Sequence, residues 1–331
     1  MTPARRVVLL AAACTAAVLV LPFIGIEQVP FGVVADPRGD GVAAVIFWQI
    51  RVPRVAAALL AGAGLAIGGA AFQALFRNPL ATPFTLGVAS GAAFGVAVAT
   101  RLGASIALLS LPLDSAAALA GALVAVAVVW LLIHLRPATS ATVLLLAGVA
   151  MSFFFSSLIL FLQYTASLGD SYRIVRWLMG GLAGVGQGEL LRMAPFVAVG
   201  VIALGWRARE LDLLSVGTDL AASRGVDVVR TRKLIFLATS VMVGGVVAAC
   251  GPIGFVGMMA PHICRLMVGS EHRFLLPASV LFGGAFLAVC DTAARLVIAP
   301  AELPVGVITA FLGGPFFLWL LLRRVSSREF G

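Results

Sequence analysis

The sequence predicts an all-α membrane protein with about ten transmembrane helices. Hydrophobic residues make up 61% of its 331 residues, charged residues only 11%, and the mean hydropathy is +1.10. A soluble domain carries about 25% charged residues, whereas an apolar run of about 20 residues can cross the hydrocarbon core of a bilayer. The 36 glycines fit this class because small residues let transmembrane helices pack closely. We expect one transmembrane domain over residues 1–331.

Ten apolar windows define the predicted spans. The first is kept as a membrane helix, because no small-residue cleavage site for a signal peptide follows it. The fourth contains Pro112, which predicts a start near residue 114. The eighth is short and contains Pro261, which predicts a half-helix or a helix tucked inside the bundle. The windows are about 7–26, 55–76, 84–101, 105–134, 141–164, 190–206, 234–251, 254–268, 274–299 and 304–323.

The positive charges predict the orientation. If both termini are cytoplasmic, 15 of the 23 Lys and Arg residues lie at cytoplasmic ends and 8 at outer ends, which follows the positive-inside rule. The net charge of +9 therefore reports membrane orientation and not a nucleic-acid partner. We expect a multi-pass protein of the bacterial inner membrane.

The two halves of the chain share a weak similarity. Residues 55–83 and 234–262 each hold a Gly-Gly pair in mid-helix, Gly68-Gly69 and Gly244-Gly245, followed by a turn with proline. The two segments would run in opposite directions, as an inverted repeat requires. Chance similarity in a chain rich in Gly and Ala is the alternative.

Several kinds of chemistry have no motif here. The single lysine, Lys233, follows Arg232, so the chain has no phosphate-binding loop. The three histidines and four cysteines have no metal-ligand or disulfide spacing. The string Gly87 to Gly91 has the wrong spacing for an intramembrane serine protease. We predict neither catalytic residues nor a metal site, and therefore no enzyme.

One ionisable pair lies within a predicted span. Asp291 precedes Arg295 by four residues, which places both on one helix face. The pair is either part of a proton or cation relay or an internally satisfied ion pair. We favour the ion pair, because a relay usually needs several carboxylates and the spans offer no others of this kind.

Residues 207–233 form a polar, basic insertion of about 25 residues. Such a segment in an apolar chain predicts a cytoplasmic surface that contacts another protein. A solvated basic loop attracted to anionic lipid is the alternative.

Four motifs appear in order along residues 50–320. They are Arg51 to Arg54 with 76–81 and 86–91; Leu214 to Gly217 through Ala221 to Val226; Gly251 to Gly257 with Pro261, His262 and Arg265; and Glu302 to Gly306 with 312–316. Together they resemble the FecCD/BtuC-like permease family of ATP-binding-cassette (ABC) importers, which take up iron-siderophores, haem and vitamin B12.

The resemblance implies a type II ABC importer permease fold and a set of partners. Two copies of the chain would pair with two ATPase subunits, and a periplasmic binding protein would deliver the substrate. This chain would bind no cofactor, because ATP and Mg would be held by the ATPase. Lipid would surround the spans.

The resemblance also implies site residues. A short helix around Gly217–Gly225 would couple to the ATPase, although Arg224 stands where the family usually has leucine. Arg51, Arg54 and Arg295 would dock the binding protein, with lipid headgroups or the Asp291 pair as alternatives. The coupling residues are Ser215, Gly217, Thr218, Asp219, Ala221, Arg224 and Gly225.

The pathway would run along the fifth helix. Ser140 and Thr142 precede it at the cytoplasmic gate, and Arg173, Arg176 and Trp177 follow it at the outer mouth. These last three residues could meet the propionates and ring of haem, or they could be interfacial anchors. The predicted cargo is an iron chelate, haem or ferric siderophore, with vitamin B12 as the alternative. An ion-coupled secondary transporter or a channel is the remote alternative.

Overall fold

A computed structural model describes residues 2–37, 39, 41–102, 113–135 and 141–326 of the chain. The described residues form helices and connecting turns, with no strand among them, which confirms the predicted all-α class. In chain order the helices are α1 (Pro3–Val20), α2 (Val42–Ala44), α3 (Val52–Phe76), α4 (Val88–Arg101), α5 (Leu113–Leu135), α6 (Ala141–Tyr164), α7 (Leu168–Leu178), α8 (Gln187–Trp206), α9 (Ala208–Val216), α10 (Thr218–Ser223), α11 (Val228–Cys250), α12 (Val256–Val268), α13 (His272–Leu296) and α14 (Val305–Ser326).

Each of the ten predicted windows overlaps a helix among the described residues. Within the described residues, seven helical segments are long and apolar enough to cross a membrane: Pro3–Phe23, Val42–Phe76, Leu113–Leu132, Thr142–Tyr164, Gln187–Trp206, Val228–Cys250 and His272–Leu296. The windows at 84–101, 254–268 and 304–323 correspond to shorter apolar helices. Pro112 lies outside the described residues. Pro261 lies inside α12, which is 13 residues long, as its window predicted.

The second window was wrong at its start. The helix begins at Val42 and continues through a π-helical stretch, Val45–Arg51, into α3. Pro53 lies in the first turn of α3 and has no backbone N–H to donate. A π-helical turn is one way in which a continuous helix accommodates such a break. Arg51 and Arg54 are therefore helical residues and not part of a loop before the helix.

The insertion at 207–233 is shorter than predicted. It contains α9 and α10, and it ends at Asp227, whose side chain caps α11 by accepting a hydrogen bond from the backbone N–H of Arg230. Residues 228–233, assigned to the insertion, are the first turns of α11. An apolar window misses these turns because four of their six side chains, at 230–233, are polar or charged.

Helix α3 is the centre of the bundle and packs against α8, α11, α12 and α13. Glycines make the closest crossings possible. A Cβ on Gly69 would overlap the backbone carbonyl of Gly257 in α12, and one on Gly62 would overlap that of Gly283 in α13. Dispersion contacts between closely approaching backbones hold such helices together in lipid.

The bundle has two distinct ends. The α7 end contains the start of α3, the end of α13 and the turn after α7. In that turn, Gly181 N–H donates to the backbone carbonyl of Cys250, the last residue of α11. At the α10 end lie the end of α3, α9, α10 and the start of α13, where the backbone N–H of His272 donates to Asp212 Oδ1. Helices α3 and α11 run in opposite directions between these ends. This direction fits the inverted repeat, which stays a prediction.

Candidate functional site

A cavity of about 460 Å³ lies at the α7 end. It brings together all three residues predicted at the outer mouth, Arg173, Arg176 and Trp177. The rest of its wall comes from α4, α5, α8, α11 and the turn after α7: Val96, Thr100, Asp114, Ser115, Gly181, Ala183, Gly184, Val185, Glu189, Ala248, Ala249, Cys250 and Gly251.

Helix α7 positions the two arginines because it is amphipathic. Ile174 is buried on one side, against the cluster that contains Ala93, Ala97 and Ile159, while Arg173 and Arg176 are exposed. The helix start is fixed by Ser167, whose hydroxyl oxygen accepts from Asp170 N–H. Serine is a favoured residue at such an N-cap.

Some charged side chains of this cavity form ion pairs and others do not. Arg173 Nη2 donates to Asp170 Oδ1 at 2.7 Å, and this bond, with the Ser167 hydroxyl, holds the pKa of Asp170 below its usual value. Glu189 Oε1 lies 3.3 Å from Arg192 Nη1. Arg176 makes no ion pair within the part of the chain that the structure describes. Its guanidinium is therefore the cation that can meet an anionic ligand here.

Two glycines allow the cavity wall to turn. Gly180 and Gly251 have φ of +64° and +67°, a region that costs other residues free energy. A Cβ on Gly180 would also overlap the Pro252 carbonyl. This close approach lets Gly306 N–H donate to Gly180 O at 3.2 Å, which joins the cavity to the start of α14.

The three arginines predicted to dock a binding protein are buried at the same end, with exposures of 5% for Arg51, 7% for Arg54 and 8% for Arg295. Arg54 donates to both carboxylate oxygens of Asp291, at 2.8 and 3.0 Å, and to Glu302 at 2.9 Å. Contact with a partner would require these side chains to exchange their present acceptors. The docking role stays a prediction.

The predicted pair of Asp291 and Arg295 is present, with 3.6 Å between Arg295 Nε and Asp291 Oδ2. Helical spacing alone did not predict the closer partner, Arg54, or the contact with Glu302. The one usable signal in the sequence was that a carboxylate within a span needs a cation. Arg51 does not take part in this ion-pair cluster. It donates to the backbone carbonyls of Pro22, Phe23 and Glu27.

The predicted coupling helix exists as α10, at the opposite end. Gly225 ends it with φ of +82°, while Val226 N–H donates back to Ala221 O; this arrangement favours glycine. Around these residues, Ser215 Oγ donates to Asp212 O, and Thr218 begins the helix directly after Gly217.

One interpretation of this helix needs correction. Ala221 was expected to let a partner approach closely, but it is fully buried against the bundle. Its small side chain therefore lets α10 pack closely against the rest of the same chain. The exposed residues of α10 and its C-terminal turn are Asp219, Leu220, Ala222, Ser223, Arg224 and Gly225.

The remaining predictions concern the gate and metals. Thr142 is exposed near the start of α6, whereas Ser140 lies outside the described residues. Among the described residues, no group of three His, Cys, Asp or Glu side chains could hold a metal ion.

Comparisons with known proteins agree on a family. A sequence model of the FecCD transport family matches residues 7–323. The vitamin B12 import system permease protein BtuC of Klebsiella pneumoniae is 41% identical, over 87% of this chain and 86% of the relative. The uncharacterised ABC transporter permease protein YvrB of Bacillus subtilis is also 41% identical, over 84% of this chain and 79% of the relative.

A solved structure has the same fold. It is an inward-facing conformation of a transporter described as metal-chelate type, with a TM-score of 0.84 and 31% identity. The match covers 95% of this chain and 98% of the other.

Proposed function

The chain belongs to the FecCD transport family and is an ABC importer permease, and from this premise we propose that two copies form the translocation pathway for an iron chelate, either haem or a ferric siderophore. In this proposal ATP hydrolysis belongs to two separate ATPase subunits, and a periplasmic binding protein delivers the cargo. Both termini face the cytoplasm of a bacterial cell.

The observation that supports this cargo is the cavity at the α7 end. It combines the cation of Arg176, which has no carboxylate partner among the described residues, with the ring of Trp177. A guanidinium binds carboxylates through paired hydrogen bonds, and an aromatic ring stacks on a flat ligand. Haem offers both carboxylates and a flat ring, and many siderophores offer anionic oxygens.

Vitamin B12 is the second candidate cargo. The observation that favours it is the 41% identity to permeases named for vitamin B12 import. YvrB, at the same identity, has no named cargo, so identity alone does not choose between the two.

The partners are proposed from the family and from the two ends of the bundle. The surface of Asp219, Leu220, Ala222 and Arg224 supports ATPase docking at the α10 end. The exposed phenylalanines Phe153, Phe154 and Phe161 of α6 are available to lipid or to a second copy.

Uptake into proteoliposomes tests the proposal. The vesicles hold this chain with its cognate ATPase; binding protein and haem are added with or without ATP. ATP-dependent haem accumulation supports both mechanism and cargo. If haem stays outside while the binding protein still stimulates ATP hydrolysis, the importer stands and ferric siderophores and vitamin B12 are tested next. Uptake by this chain alone, driven by an ion gradient, would favour a secondary transporter.

A further inference from the structure

We propose that a basic cleft at the α10 end binds the headgroup of an anionic phospholipid, of which phosphatidylglycerol is a simple example. The cleft has a volume of about 510 Å³ and lies between the ends of α3 and α12, the start of α13 and the end of α9. The proposal depends on the chain lying in a membrane and not on its cargo.

The lining of this cleft is basic. Arg77 and Arg265 contribute guanidinium groups, and none of the lining residues is acidic. Arg77 forms no ion pair within the described ranges, and Arg265 donates to the neutral amide oxygen of Gln73 at 2.5 Å. Arg232 adds a third positive charge close to Arg77. The electric field in the cleft therefore favours an anion.

The carboxylates near the cleft have other partners. Asp212 lies behind His272, with its Oδ1 2.6 Å from His272 Nδ1 and accepting the backbone N–H of the same residue at 2.9 Å. Glu271 forms an ion pair with Arg273 at 2.6 Å. Neither neutralises Arg77 or Arg265, so an anion in the cleft would find two guanidinium groups able to donate.

The wall of the cleft also holds a buried polar atom without a partner. His272 lines the cleft and is only 2% exposed, and its Nε2 has no hydrogen-bond partner among the described residues. With Nδ1–H donating to Asp212, Nε2 carries a lone pair and accepts. Buried polar atoms are normally paired. This nitrogen is closed to solvent, so it is a feature of the cleft wall and not a contact open to the headgroup.

Exposed apolar side chains occur at the cleft and next to it in sequence, which favours a lipid over a free phosphate compound. Leu266 lines the cleft and is 71% exposed, and Leu80 and Val216, each next to a lining residue, are also exposed. Acyl chains can lie along these side chains while the headgroup enters the cleft. Basic pockets between membrane helices at the cytoplasmic side are known to bind anionic lipid headgroups in this way.

Native mass spectrometry of the full chain in detergent, titrated with phosphatidylglycerol or phosphatidylcholine, tests the proposal. We expect preferential retention of phosphatidylglycerol. Arg77→Gln should lower that retention about fivefold, as expected for one arginine near an anionic headgroup. Arg77→Lys should restore much of it. The matched control is Arg5→Gln. Arg5 is an exposed arginine at the same end, next to Arg6, which donates to Met267 O. This substitution should change the retention of phosphatidylglycerol little.

Three results would overturn the proposal. The first is equal retention of the two lipids. Equal loss of phosphatidylglycerol from the Arg77→Gln and Arg5→Gln variants would count in the same way, provided that both variants keep the melting temperature of the unaltered chain. The second is full competition by glycerophosphoglycerol at the same concentration, which would indicate a site for soluble phosphates. The third is loss of phosphatidylglycerol when the ATPase is added, which would assign the cleft to that partner.

Discussion

At the scale of single residues, Arg54 is a charged side chain held almost entirely out of water. Its guanidinium and the Asp291 carboxylate are both buried, with side-chain exposures of 8% and 2%. A buried ion pair offsets the cost of removing its charges from water only when the two groups are well aligned. Here two parallel hydrogen bonds join the guanidinium to the carboxylate.

Replacing Asp291 by Ala should destabilise the protein by about 3 kcal/mol, because it leaves Arg54 buried without its main acceptor. Thermal unfolding in detergent measures the loss. The control is Glu302→Gln, since Glu302 has a side-chain exposure of 40% and forms the outer contact of Arg54; a smaller loss is expected. Equal melting temperatures for the two variants would contradict a dominant inner pair.

Arg173 and Arg176 provide the residue-scale test of cargo binding. Changing both to Ala should lower haem transport by about tenfold or more, as expected when charged hydrogen bonds to a carboxylate are lost, and should lower basal ATP hydrolysis much less. Transport and hydrolysis are measured on the same proteoliposomes. Equal loss of both activities would mean that the two arginines hold structure.

At the scale of elements, the crossing of α3 and α12 depends on glycine. Gly69 faces the backbone of Gly257, and Gln73 one turn later donates to the carbonyl of the same residue. The amide of Gln73 also accepts from Arg265, so one side chain connects both ends of α12 to α3.

The Gly69→Ala variant should destabilise the protein by about 1–3 kcal/mol, the range for overpacking a close contact. Gly205→Ala is the matched control, because Gly205 also lies in a helix but has open space where a Cβ would be placed. That change should be neutral or stabilising by up to about 1 kcal/mol, since alanine favours helix. Thermal unfolding of both variants measures the difference, and similar losses would argue against a close crossing.

At the scale of the whole molecule, the bundle separates two predicted contacts. The arginine cluster and the cavity lined by Arg176 and Trp177 lie at the α7 end, and α10 lies at the other. A signal between binding protein and ATPase would therefore travel along α3, α11 and α13, the long helices that join both ends.

Leu220→Asp should weaken co-purification of the ATPase with this chain, because Leu220 is 40% exposed on α10 and a charge there opposes apolar contact. Loss of a central interface contact costs about 2 kcal/mol or more, which weakens binding about tenfold or more. Val34→Asp, at a similarly exposed position of 49% near the α7 end, should leave co-purification unchanged. Equal effects of the two substitutions would place the ATPase contact elsewhere.

Much of the architecture could be predicted from local features. The apolar windows found the helices, and four motifs in order identified the family. Helix starts were less accurate, as at Val42 and Val228, because polar or π-helical first turns resemble loops in an apolar window. The pairing of Asp291 with Arg295 followed from helical spacing, whereas Arg54 lies 237 residues away from Asp291.

The sequence by itself determined the membrane class, the order of the helices and the family, because composition and motif order are properties of the chain alone. Only the tertiary structure decided that Arg54 is bound by Asp291 and Glu302, that Ala221 is buried, and that Arg77, Arg265 and His272 line one cleft. These relations depend on helix faces and crossings, which bring together side chains separated by scores of residues in sequence.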